Sequence, residues 1–370
     1  MDLEARLQSL LAKGVRILDP RQTFIDADVQ PERICAGAIL YPGARLLGAR
    51  TFVGTQAAVG YEGPATLRDA VLAGDAGIAS GYAEGAVLLR GARAGANAHL
   101  REGTLLEEEA STAHGVGLKQ TILLSFVTLG SLINFCDVLM AGGTSREDHS
   151  EVGSGFIHFN FTPWGRRGDK AAPSLVGDVV RGVFLRHPRI FIGGAGGMVG
   201  PRAVGYGSIV AAGQVVRRDV APGRLVVQRA GPLDVPIEQP ADGKVEGVTR
   251  RNVEYIAQLH ALLAWYREVR LVRVATDDLT SRLVLHEAIA NIELGIDERL
   301  KRLGSYLAER GRSLSAVVPA EQPPCPLRLA DTVPAVDHVT WVQALASPEV
   351  DALAGWLDAI AAMVRTRLGG

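Results

Sequence analysis

Imidazole is the side chain best suited to proton transfer near neutral pH, so the histidines in the middle of the chain come first. His158 sits in GFIHFNF (155 to 161), two positions before Asn160, and two positions along a strand bring side chains to one face. It is therefore a candidate general base. His149 follows as a second candidate, on the inserted stretch AGGTSREDHSEVGSG (141 to 155). A second insertion, NFTPWGRRGDKAAPS (160 to 174), carries Arg166, Arg167 and Lys170, cations suited to phosphate or to a neighbouring subunit. Metal catalysis is not expected, because His99, His114, His149, His158 and His187 contain no close HxxxxH pair. Cys35, Cys136 and Cys325 are too scattered for a paired metal motif or a disulfide framework.

The elements that must hold these residues repeat every six positions. Leu47, Val53 and Val59 form one run; Leu100, Leu106, Thr112 and Leu118 form a second, which resumes after a one-residue slip as Leu123, Leu129 and Phe135. Ile192, Met198, Val204, Val210 and Val216 form a third. Six is neither the helical period nor strand alternation. It suits a triangular solenoid in which each unit is a short strand and a corner, its aliphatic residue pointing inward. The expected fold is mainly β, a left-handed parallel β-helix of hexapeptide repeats with a short N-terminal helix and a C-terminal helical region. Four segments follow: a helix over 1–14, the β-helix over 15–231, a linker at 232–244 and helices over 245–370. Within the last, Leu259, Leu262, Leu263 and Tyr266 are expected core positions. A parallel β-helix exposes unpaired strand edges at its last coil, so the helical tail is expected to cap that end or embrace a second subunit.

Composition agrees with this reading. Glycine is abundant at 43 residues and aromatics are sparse at 5%, which suits tight corners and narrow aliphatic layers. With 39 basic and 40 acidic side chains, no global field recruits nucleic acid or an anionic membrane. No apolar stretch is long enough to span a bilayer and MDLEARLQSLLAKG is no signal peptide, so a cytoplasmic location is expected.

Two stretches carry a resemblance. GVRILDPRQTFIDADV (14 to 29) and IFIGGAGGMVGPRAVGYGSIVAAGQVVRRDV (190 to 220) resemble the first and closing coils of the β-helix in the bifunctional UDP-N-acetylglucosamine pyrophosphorylase and glucosamine-1-phosphate acetyltransferase family. The similarity covers roughly residues 5 to 230 and leaves the helical tail unexplained. It begins at the family's linker helix, so pyrophosphorylase activity, which resides in a preceding domain, is not expected. For the acetyltransferase site, the resemblance implies that Arg101 and Lys119 hold a sugar phosphate and that Asn160 and Phe161 stand beside the acetyl group. It further implies that Ala211, Ala212 and Gly213 form the low surface under the pantetheine arm, and that Arg229 binds a coenzyme A phosphate.

The acceptor end departs from the family. In LLSFVTLGSLINFCD (123 to 137), Ser131 occupies the position of the general-base histidine, and Gly117 that of its orienting glutamate. Asn134 replaces a sugar-contacting tyrosine and Glu151 a sugar-contacting asparagine. A serine hydroxyl unaided is no base near neutral pH. The catalytic set is therefore expected to be His158, Asn160 and Ser131, and the substrate-binding set Arg101, Lys119, Asn134, Glu151 and Lys170. The coenzyme would contact Ala211, Ala212, Gly213 and Arg229. The expected function is a coenzyme A dependent acyltransferase, using acetyl-CoA or another acyl-CoA on a phosphorylated or nucleotide-linked sugar, as a homotrimer. The competing expectation is a catalytically inactive trimeric scaffold or sugar-nucleotide-binding protein.

Overall fold

The structure is a computed structural model that describes residues 3–161, 171–227, 245–314, 322–327 and 336–369. After an N-terminal helix, Leu3–Lys13, which buries Leu7 and Leu10, the chain winds into a left-handed parallel β-helix. Most strands are only two residues long: one points out and the next points in. All pairings between named strands are parallel and run from one coil to the next, so each coil depends on its neighbours.

Three faces result. One is an eleven-stranded sheet running from Arg16–Ile17 to Leu225–Val226. The other two belong to a single sixteen-stranded sheet that bends through a corner, because Gly117–Leu123 and Asn134–Met140 continue around it. Gln120 and Asp137 make that bend with left-handed φ of 49° and 65°. The inward columns hold the expected aliphatic residues: Leu100, Leu106, Leu118, Leu123, Leu129 and Phe135 are all buried, as are Ile192, Met198, Val204, Val210 and Val216. One register differs from expectation. Leu46, not Leu47, stands in the inward column with Ile25 and Leu67, because the following corner takes one more residue before Val53.

Among the described residues the tail does not cap the solenoid. Its long helices, Val245–Ala264 and Leu279–Ala308, lie along one lateral face instead. On that face the outward residues Phe52, Val71, Val87, Leu105, Ile122, Leu139 and Leu175 are buried, although they point away from the solenoid interior. Burial of such side chains stabilises the docking by roughly 1.5–3 kcal/mol each, which explains why the tail takes this face. Leu259, Leu262, Leu263 and Tyr266 are buried in this contact.

Polar contacts set the register of the second helix. Glu287 meets Arg33 at 3.1 Å, the Asn291 amide donates to the carbonyls of Gly85 (3.3 Å) and Thr104 (2.7 Å), and Arg299 meets Asp137 at 2.9 Å. These residues recur every four or eight positions, which aligns one helical stripe with successive coils. At the far end, Leu225 and Val227 remain exposed.

Candidate functional site

The corner between the eleven-stranded face and the open part of the larger sheet gathers most of the expected site residues. Ser131 lies on this corner between Thr128–Leu129 and Asn134–Met140. Its backbone N–H donates to Ser154 Oγ (3.0 Å), and its carbonyl accepts from Gly155 N–H (2.8 Å). Its hydroxyl is 2.9 Å from Nδ1 of His114, a residue seventeen positions earlier and thus one coil below. His114 was not among the expected site residues. The slip from Leu118 to Leu123 makes this coil seventeen residues long, so the spacing alone could have paired them.

Beside the corner, Gly117 and Asn134 share one outward column and Lys119 and Cys136 the next, in adjacent coils. Arg101 follows Leu100, the register partner of Leu118, so Arg101 and Lys119 occupy equivalent places on adjacent rungs, about 4.8 Å apart in the ladder direction. The Arg101 guanidinium lies 3.6 Å from Cys136 Sγ, and its Nε is buried with no hydrogen-bond partner among the described residues. Burial, then the charge of Asp137, push the Cys136 thiol up; Arg101 and Lys119 offset this only in part, so Cys136 is a neutral thiol rather than a nucleophile. Gly117 leaves the floor open: a Cβ there would sit 3.6 Å from Asn134 Oδ1. Glu151 lies across the corner, on the eleven-stranded face, with Oε2 3.8 Å from His149 Nε2.

Above Ser131 the same corner becomes a ledge of small residues. Ala195 N–H bonds the Ser154 carbonyl (2.7 Å) and Gly213 N–H bonds the Gly194 carbonyl (2.8 Å), so Ser154, Gly194 with Ala195, and Ala212 with Gly213 stack as successive rungs. A Cβ at Gly193 would come within 2.3 Å of the Ala212 nitrogen, which only glycine permits. Ala211, Ala212 and Gly213 are thus brought to the corner that holds Ser131. Lys170, Arg166, Arg167 and Arg229 lie outside the described residues.

His158 requires a correction. Strand alternation does put it on the side of the strand that Asn160 takes, but that side is the interior: His158 follows Phe135 and precedes Met198 in an inward column. Its Nδ1 donates to the Cys136 carbonyl (2.6 Å), so the bare Nε2 accepts from the Ser174 hydroxyl (2.7 Å). Burial holds its pKa down to about 4. With both nitrogens engaged inside the coil, His158 does not present a base to a substrate on the outer surface. Asn160 is also tied inward, donating to Asp137 Oδ2 at 2.7 Å, and Asp137 is the carboxylate that meets Arg299 of the tail. Among the described residues no cluster of His, Cys, Asp or Glu side chains is disposed to hold a metal ion, and no helix is long and apolar enough to cross a membrane.

No protein-family model matches the chain. It is 32% identical over 221 residues to the bifunctional protein GlmU of Nocardia farcinica, covering 60% of this chain and 39% of that one. To the protein of the same name from Clavibacter sepedonicus it is 32% identical over 217 residues, 59% of this chain and 38% of that one. To that of Kineococcus radiotolerans it is 29% identical over 252 residues, 67% and 46% of the two chains. The chain therefore spans less than half the length of these curated relatives. Relatives of that name and a left-handed β-helix together agree with the resemblance to the hexapeptide-repeat acyltransferase part of the family.

Proposed function

We propose that this chain is an acyltransferase that takes acetyl-CoA or another acyl-CoA as donor and a phosphorylated or nucleotide-linked sugar as acceptor. The coarser part of this reading, an acyltransferase-like role related to sugar nucleotides, is supported by the GlmU relatives and by the β-helix. The finer part is supported by the arrangement beside one corner column: Arg101 and Lys119 on adjacent rungs of the strand face next to it, and a small-residue ledge ending at Gly213 stacked above Ser131. Two cations on adjacent rungs suit one phosphate, with Asn134 and Glu151 walling the acceptor from the two sides of the corner. A low ledge lets an extended arm approach strand backbone closely. Lys170 and Arg229 remain in the proposal as the acceptor-side and coenzyme-side cations.

The reading includes a homotrimer. Because the tail occupies one lateral face, subunit contacts would use the other two, where Ile157, Phe159, Phe191 and Ile209 are exposed. Sedimentation equilibrium should give three chains per particle; a monomer removes a site shared between subunits. Calorimetry tests the donor. Saturable binding of acetyl-CoA or a longer acyl-CoA is expected, whereas no heat across the acyl series refutes the transferase and leaves a binding scaffold.

A further inference from the structure

We propose that Ser131 is a nucleophile activated by His114, and that the site transfers acyl groups through a serine ester. This rests on the reading above for the donor, an acyl thioester, but not for the existence of the nucleophile. A hydroxyl within hydrogen-bond reach of an imidazole is the arrangement that makes serine nucleophilic. Here the distance is 2.9 Å, and the backbone that carries each residue is held by further hydrogen bonds. Leu132 N–H bonds the His114 carbonyl (2.9 Å), and the Ser131 backbone is clamped between Ser154 and Gly155.

The surroundings favour this pair over the other imidazole and the thiol near the corner. His158 is enclosed, and Cys136 is held as a thiol. His114 is exposed and Ser131 half-buried, so both are accessible from the outer surface. The pair also sits at the foot of the ledge formed by Ser154, Gly194, Ala195, Ala212 and Gly213. A donor laid along that ledge would bring its carbonyl to Ser131 from above, while Arg101 and Lys119 hold an acceptor to the side.

The chemistry balances without a further reactant. With the ring proton on Nε2, His114 takes the proton from Ser131 Oγ at Nδ1 as the oxygen bonds to the thioester carbonyl carbon. The carbon–sulfur bond then breaks, and the departing sulfur takes the proton from Nδ1, leaving a serine ester and a free thiol. In the second half, Nδ1 removes the proton from the acceptor hydroxyl or amine as that group bonds to the ester carbonyl. The bond to Oγ breaks, and Ser131 recovers the proton.

The test is to mix the full chain with acetyl-CoA, and separately with p-nitrophenyl acetate, without acceptor, quench with acid at intervals and locate the acetyl group by peptide mass spectrometry. Acetyl on Ser131 is expected with both donors, none in Ser131→Ala, and accumulation slowed ~10²-fold or more in His114→Ala. Far-UV circular dichroism of both variants should match the parent, since neither side chain is in the core. Label on Ser131 from the nitrophenyl ester alone upholds the nucleophile and sinks the coenzyme reading. No label on Ser131 from either donor overturns the proposal, as does an unchanged rate in His114→Ala.

Discussion

Replacing His158 with leucine should change how stability depends on pH more than it changes the fold. In the unfolded chain an imidazole takes up its proton near the ordinary value of 6.5, whereas in the folded protein burial delays protonation until about pH 4. Between those values the unfolded state binds more protons, so stability rises with pH across this window. The contribution is therefore fully present above about pH 6.5 and is lost as pH falls to about 4. At about 1.4 kcal/mol per decade of proton affinity, the loss is about 3 kcal/mol. His158→Leu removes this dependence but leaves the Cys136 carbonyl and the Ser174 hydroxyl without their imidazole partner, a penalty of roughly 1–3 kcal/mol per unsatisfied group. Urea unfolding of both proteins, at steps from about pH 8 down to about pH 4, isolates the term. His260 and His338 are also held below their ordinary values by burial, and their contributions cancel in the difference. The parent should be the more stable at high pH, and the gap should close or invert by about 3 kcal/mol at low pH. Parallel curves would refute a neutral, enclosed His158.

Arg299→Met strands Asp137 in the interior with the Asn160 amide as its one remaining side-chain partner among the described residues, so a loss of about 3–5 kcal/mol in urea unfolding is expected. Adding Asp137→Asn should recover part of it, and strictly additive losses would show that the pair is not coupled. Arg101→Ala and Lys119→Ala should each raise KM for a phosphorylated acceptor about tenfold or more, with acyl-CoA affinity unchanged. Equal effects on an unphosphorylated acceptor would count against phosphate binding there. Truncation after Lys244 uncovers Phe52, Val71, Val87, Leu105 and Ile122 along a whole face, so the shortened chain should aggregate. A soluble truncated chain with the parent's far-UV spectrum would contradict the docking.

The six-residue period determined the solenoid because an inward aliphatic residue is required on every strand, whatever lies outside. The slip between Leu118 and Leu123 likewise fixed a seventeen-residue coil, the spacing that pairs Ser131 with His114. The place of the tail was also written in the chain, though less plainly. Phe52–Val53, Val71–Leu72, Leu105–Leu106 and Ile122 with Leu123 are consecutive apolar pairs, and a strand apolar on both sides is covered on both sides. Helical periodicity in the tail showed that a stripe would be buried, but not against what.

His158 marks the limit. Alternation groups His158 with Asn160 but is symmetric between inside and outside, so the sequence could not tell a solvent-facing base from an enclosed one. Only the register with Phe135 and Met198 decided it, because cross-coil pairing fixes which side of the strand meets the core. The link from Asn160 through Asp137 to Arg299 was equally invisible. Its last step joins residues far apart in the chain, and the Arg299–Asp137 contact exists only once the tail has docked.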